Sequence, residues 1–174
     1  MFVELGQDRK VAALTQIFMC TFFIGEFMND FKYMSIALKE AKKAYDLNEI
    51  PVGAVIVKDN KVIAKAHNMK ENKNSVISHA EILAINKASK KLNNWRLNGC
   101  TIYVTLFPCP MCASAINQSR IDNIVYGTIP KYANKKLVNT ILKDNNYGNI
   151  TSIKGNILEE QSLELLQKFF QEKR

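Results

Sequence analysis

Hydrophobic and polar positions alternate along this chain with two periods, and the switches between them mark its elements. Phe31, Met34, Ile36, Leu38, Ala41, Ala44, Tyr45 and Leu47 recur at helical spacing with Lys and Glu between them. That spacing predicts an amphipathic helix from Asn29 onward that stops before Pro51. Val52 to Val57 is an apolar run, Asp59-Asn60 a turn, and Lys61 to His67 a second strand-like run, so this stretch predicts an antiparallel hairpin. The pattern then predicts a helix from His79 to Lys91, a strand from Thr101 to Leu106, a helix from Pro110 to Gln118 and a strand from Ile121 to Tyr126. Ile150 to Ile153 supplies a fifth strand, and Leu158 to Phe170 a closing amphipathic helix. Pro130 to Gly148, rich in Lys and Asn, reads as a surface loop with room for a short helix. Strands interleaved with helices imply the α/β class, a three-layer α/β/α sandwich on a central five-stranded mixed sheet.

The first 27 residues do not share this pattern. Asp8-Arg9-Lys10 precedes an uncharged, largely apolar stretch from Val11 to Gly25. It has the charged flank and apolar core of a signal peptide but no small-x-small cleavage site before the next charges. It is also shorter than the roughly 20 apolar residues that span a bilayer. The expectation is that Met28 is the biological start, with residues 1–27 a non-native or mis-started extension and 28–174 a single domain.

Composition narrows the classes. With 174 residues, 47% hydrophobic and 23% charged, the chain has room for one domain with a real core and does not resemble a disordered tail, a fibre or a multispan membrane protein. Four cysteines are too few to staple a small secreted fold. The net charge of +8 makes a polyanionic partner plausible, although the excess is carried by Lys in a Lys- and Asn-rich chain, which AT-rich coding also produces.

The chemistry gathers at a few positions. Cys109-Pro110-Met111-Cys112 is a C-x-x-C with a proline suited to the first turn of a helix, where free N–H groups favour thiolates. Alone it is ambiguous between metal and redox chemistry. His79, thirty residues upstream, adds an imidazole, and three protein ligands leave the fourth position of tetrahedral zinc open, as in catalytic sites. The second histidine, His67, falls on the second predicted strand, where a packed or half-exposed role is expected. Glu81 is the carboxylate that a metal-activated water needs as proton carrier. Ser78-His79-Ala80-Glu81 also fits a capping box, in which Glu81 would merely close the helix end.

Taken together, His-x-Glu followed by Pro-Cys-x-x-Cys resembles the zinc deaminase signature. The likeness extends to Ile50-Pro51-Val52-Gly53-Ala54-Val55, Asn68, Thr101-Ile102-Tyr103-Val104-Thr105, Ser119-Arg120-Ile121 and Leu165-Leu166-Gln167-Lys168-Phe169-Phe170. In order and spacing these resemble the bacterial tRNA-specific adenosine deaminases, over Asn29 to Arg174. The resemblance implies a cytidine deaminase-like fold, one zinc per subunit held by His79, Cys109 and Cys112, and Glu81 as proton shuttle. It implies that Asn68 hydrogen-bonds a flipped purine and that Pro51, Val52 and the Ala80 backbone shape its pocket. The implied substrate is the wobble adenosine of a tRNA anticodon stem-loop, converted to inosine by a homodimer; thiolate ligands in turn argue for a reducing, cytoplasmic compartment, and no membrane attachment is expected.

Lys70, Lys73, Lys131, Lys135, Lys136, Lys168, Lys173 and Arg174 are candidates for RNA contact, and Ala113, Ala115 and Ile116 for either a subunit contact or the core. Two departures from the family pattern stand out. Phe107 replaces the usual Glu before Pro108, as in deoxycytidylate deaminases, and the loop after Gly127 lacks the family's glycines. These favour the alternative of a deaminase of free nucleobases, nucleosides or nucleotides, of the guanine, cytosine or deoxycytidylate type. A catalytically silent zinc or RNA-binding protein is the third reading, disfavoured by the intact Glu81.

Overall fold

Asn48 takes the left-handed conformation (φ 59) and Pro51 follows, so the first helix cannot run on. This helix, α1, covers 28–46 in a computed structural model that describes residues 28–173. The expected extension over residues 1–27 lies outside the described residues. Strands β1 (Gly53–Lys58) and β2 (Lys61–His67) are joined by Asp59 and Asn60, both left-handed (φ 49 and 58), as a two-residue hairpin turn demands. The chain continues through α2 (Ala80–Leu92), β3 (Cys100–Leu106), α3 (Pro110–Gln118), β4 (Asn123–Thr128), α4 (Lys135–Leu142), β5 (Ser152–Lys154) and α5 (Glu159–Glu172).

The strands form one mixed sheet in the order β2-β1-β3-β4-β5, antiparallel on either side of β1 and parallel from β3 to β5. Alternate residues serve its two faces. Ala54, Ile56, Ile102, Val104 and Ile124 pack with Ala84 and Ala88 of α2, Ala113 and Ile116 of α3, and Val138 and Leu142 of α4. Val55, Val57, Tyr103 and Val125 pack with Tyr33, Met34 and Ala37 of α1. Helices on both faces give the expected three layers. Ala113 and Ile116 have no exposed surface, so packing within the chain accounts for them.

Glycines show how closely the layers approach. A Cβ at Gly53 would fall on the Ala37 carbonyl and the Ala41 nitrogen of α1, and one at Gly127 on Ser162 of α5. The sheet edges are β2, with Lys61 and Lys65 exposed, and the three-residue β5.

Two strand starts shift, and the short helix of the 130–148 loop is found. β4 begins two residues after Ile121, which is buried in the core but precedes the ladder, whose first pair is Thr101 with Asn123. β5 likewise begins at Ser152, because the Thr151 N–H turns to the Asp122 carbonyl (2.7 Å). The 130–148 stretch holds a real helix, α4, whose N-cap Asn134 accepts from the Leu137 N–H (3.1 Å). Asn117 of α3 pins the other end by donating to the carbonyls of Ile141 (2.7 Å) and Asp144 (2.9 Å). Among the described residues no helix is long and apolar enough to cross a membrane.

Because β1 runs antiparallel to β3, the start of β1, the end of β2 and the end of β3 meet at one end of the sheet. Ile50 to Val52, Asn68 and Leu106 to Cys109 therefore share that end.

Candidate metal centre and its pocket

Two helices begin at the ligands. His79 is the N-cap of α2 (φ −70, ψ 152) and Cys109 the N-cap of α3 (φ −74, ψ 167), and neither uses its side chain as a cap. Both side chains are thereby free for other chemistry. Cys112 lies in the first turn of α3 and is fully buried. His79 Nδ1 lies 3.8 Å from Cys109 Sγ and 3.5 Å from Cys112 Sγ, and all three donor atoms fall within 4.8 Å of one another. Bonds of about 2.0 Å to nitrogen and 2.3 Å to sulfur place donors on a tetrahedral ion roughly 3.5–3.8 Å apart, so the group fits one metal ion.

The electrostatics suit soft donors. The hydrogen bond with Cys112 is the main influence on Cys109, and with help from His79 it outweighs burial and holds the Cys109 thiol down to about 4. The same bond, together with burial, pushes the Cys112 thiol up. The bond to Cys109 raises His79. Glu81, two residues after His79, is 4% exposed, and burial pushes its carboxyl above the ordinary 4.5. The capping box does not form. Because α2 starts at Ala80 rather than at His79, Glu81 falls one position too early for its side chain to reach back, and it stays beside Cys112 instead.

The metal group opens into a cavity of about 410 Å³, lined among others by Ile50, Val52, Asn68, Lys70, Phe107 and Tyr132. His79 and Cys109 face it. Of the residues named from the sequence, Asn68 and Val52 reach this wall. Pro51 and Ala80 are buried and do not line it. The Asn68 amide donates from Nδ2 to Glu49 Oε2 (3.0 Å), a partner that sequence reading missed. His67 lies apart from the metal group, its Nδ1 3.0 Å from Glu40 Oε2.

Comparison with known proteins shows which family the chain resembles over most of its length. The family model for MafB19-like deaminases matches residues 28–174. A tRNA-specific adenosine deaminase of Bacillus subtilis (strain 168) is 43% identical over 143 residues, which is 82% of this chain and 89% of that protein. The chain belongs to the tRNA-specific adenosine deaminase family. A further member of this family, from Aquifex aeolicus (strain VF5), is 41% identical over 82% of this chain and 94% of its own. A solved structure from a study of A-to-I editing by tRNA:A34 deaminases at the wobble position of transfer RNA matches with a TM-score of 0.72 and 37% identity, covering 78% of this chain and 99% of that one.

Within this tRNA-specific adenosine deaminase family member, the two departures become concrete. Phe107 is 5% exposed, meets Tyr126 edge-on (ring centroids 4.9 Å apart) and forms part of the pocket wall. The altered loop brings Tyr132, 81% exposed, to the mouth. Of the candidate lysines, Lys70 lines the cavity and Lys131 an adjoining groove that it shares with Tyr132 and Phe170. Lys168 instead covers the Tyr45 ring (5.3 Å).

Proposed function

We propose that this chain is a zinc-dependent hydrolase that converts the wobble adenosine of a tRNA anticodon to inosine. The observation that carries this reading is the convergence of His79, Cys109 and Cys112, with buried Glu81 beside them, at a cavity of about 410 Å³ that Asn68 also lines. Zinc held by those three side chains would supply Lewis-acid activation of a water at neutral pH. Glu81 takes a proton from the attacking water and hands it to the departing amino nitrogen. The C6–N bond breaks, ammonia leaves and C6 keeps the oxygen. A carboxyl raised by burial suits both halves of that transfer.

Asn68 orients the base through its amide, and Val52 and Phe107 supply apolar wall around it. At the mouth, exposed Tyr132 offers a face on which a neighbouring base can stack, and Lys70 there and Lys131 in the adjoining groove offer charge to the backbone. An unpaired anticodon loop also yields a base to such a pocket at less cost than a duplex.

The test is to incubate the zinc-loaded protein with an adenosine-containing anticodon stem-loop and, separately, with free purines and pyrimidines, reading products by mass spectrometry. Inosine in the RNA is expected, with turnover that falls steeply as salt rises because phosphate contacts release counterions. Product from a small molecule alone would move the protein to nucleotide salvage.

Two further parts of this reading are a homodimer and a cytoplasmic setting. Val76 and Ile77, 67% and 58% exposed just before His79, form an apolar pair that a second copy would cover. Thiolate ligation of a metal favours a reducing compartment.

A further inference from the structure

Glu49 has no exposed surface, and nothing in the reaction above uses it. A carboxylate is buried at heavy cost unless hydrogen bonds replace its water, and here they do. Oε2 accepts from Asn68 Nδ2 (3.0 Å), while Oε1 accepts from the Asn72 N–H (2.7 Å) and from Asn72 Nδ2 (3.0 Å). The backbone N–H groups of Lys70 and Glu71 add to the set. One buried charge thus ties the end of the turn after α1 to the start of the loop that carries two cavity-lining side chains, Asn68 and Lys70.

The two ends of an asparagine amide are nearly the same size, so packing alone leaves its orientation open. A carboxylate can only accept. Glu49 therefore draws Nδ2 to itself, and Asn68 Oδ1 has no hydrogen-bond partner among the described residues. We propose that Glu49 is a positioning residue that fixes the orientation of the Asn68 amide, and with it the donor and acceptor pattern that the pocket offers to a base. This rests on the reading that Asn68 contacts the substrate. Glu49 itself touches neither the metal group nor the cavity.

The substitution Glu49→Gln keeps the shape and removes the rule, since a glutamine can present either oxygen or nitrogen to Asn68. A double-mutant cycle of Glu49→Gln and Asn68→Ala tests the proposal. For each variant kcat and KM are measured on the anticodon stem-loop and on a free purine, alongside bound metal and Tm. Glu49→Gln is expected to raise KM roughly tenfold, with kcat nearly unchanged and full metal content. In the Asn68→Ala background it should raise KM no further, because the group it acts through is gone. Additive effects in the double variant, or a fall in kcat at unchanged KM, would overturn the proposal. Should Glu49→Gln fail to fold, Glu49→Asp, which still only accepts but withdraws the carboxylate from Asn68 Nδ2 by one methylene, carries the same cycle with a smaller rise in KM expected, again absent in the Asn68→Ala background. If the wild type acts on the free purine alone, the RNA reading fails while the cycle, run on that purine, still decides the role of Glu49.

Discussion

Glu81 owes its burial to its place in the chain, since two residues after a ligand at a helix start it has to share the ligand's surroundings. Replacing Glu81 with Ala is expected to lower kcat by roughly 10²–10⁴-fold while bound zinc stays at the wild-type level. Inosine formation and elemental analysis measure the two, and near-normal turnover would remove Glu81 from proton transfer. Cys109→Ala and Cys112→Ala should instead lose metal and turnover together, and full zinc in either variant would contradict the ligand assignment. A different carboxylate links structure to pH. Burial raises Glu49, but hydrogen bonds from Asn72, Glu71 and Lys70 outweigh it and hold the folded value below the ordinary 4.5. A lowered folded value stabilises the native state above the unfolded value, and that gain is lost as pH falls through the folded value. Glu49→Gln, which does not titrate, should therefore be less stable than wild type at neutral pH and approach it as pH drops below 4.5. Urea midpoints across pH give the comparison, and parallel curves would show that these bonds do not favour the charged form.

The elements respond to how closely they pack. Since a Cβ at Gly53 would overlap the backbone of α1, Gly53→Ala has to push that helix off β1. A loss of about 1–3 kcal/mol in denaturant unfolding is expected, the usual range for overpacking a tight contact, whereas an unchanged midpoint would mean that α1 moves freely. Most elements were legible in the sequence because a residue's burial and its pairing usually coincide. They part at Ile121, which is core without being ladder, and there the apolar pattern starts a strand two residues early. Helix α4 was faint for another reason. Its buried face is little more than Val138 and Leu142 in a Lys- and Asn-rich stretch, and its anchor, Asn117, lies on a different helix. Ser78 and Glu81 satisfied a local capping rule that the backbone declined, since His79 takes the cap position and points its ring at the two sulfurs.

Across the whole molecule, the ligand set was legible because His-x-Glu and Cys-x-x-Cys are each contiguous. The pocket wall was legible only in part, at Val52 and Asn68, because Ile50, Phe107 and Tyr132 join them only after the sheet has brought distant segments to one end. Glu49 was hidden for the same reason, as its partners Asn68 and Asn72 lie 19 and 23 residues away. Assembly is tested by sedimentation equilibrium, where the homodimer predicts twice the 19.8 kDa chain mass and a monomer mass would reject it. The two sheet edges bear on what happens when metal is scarce. With lysines along β2 and only three residues in β5, neither edge offers a neighbouring chain a long bare row of backbone groups. On the proposed zinc reading, metal-stripped chains are therefore expected to stay dispersed, and light scattering of the chelator-treated protein, where growing particles would speak against it, checks this.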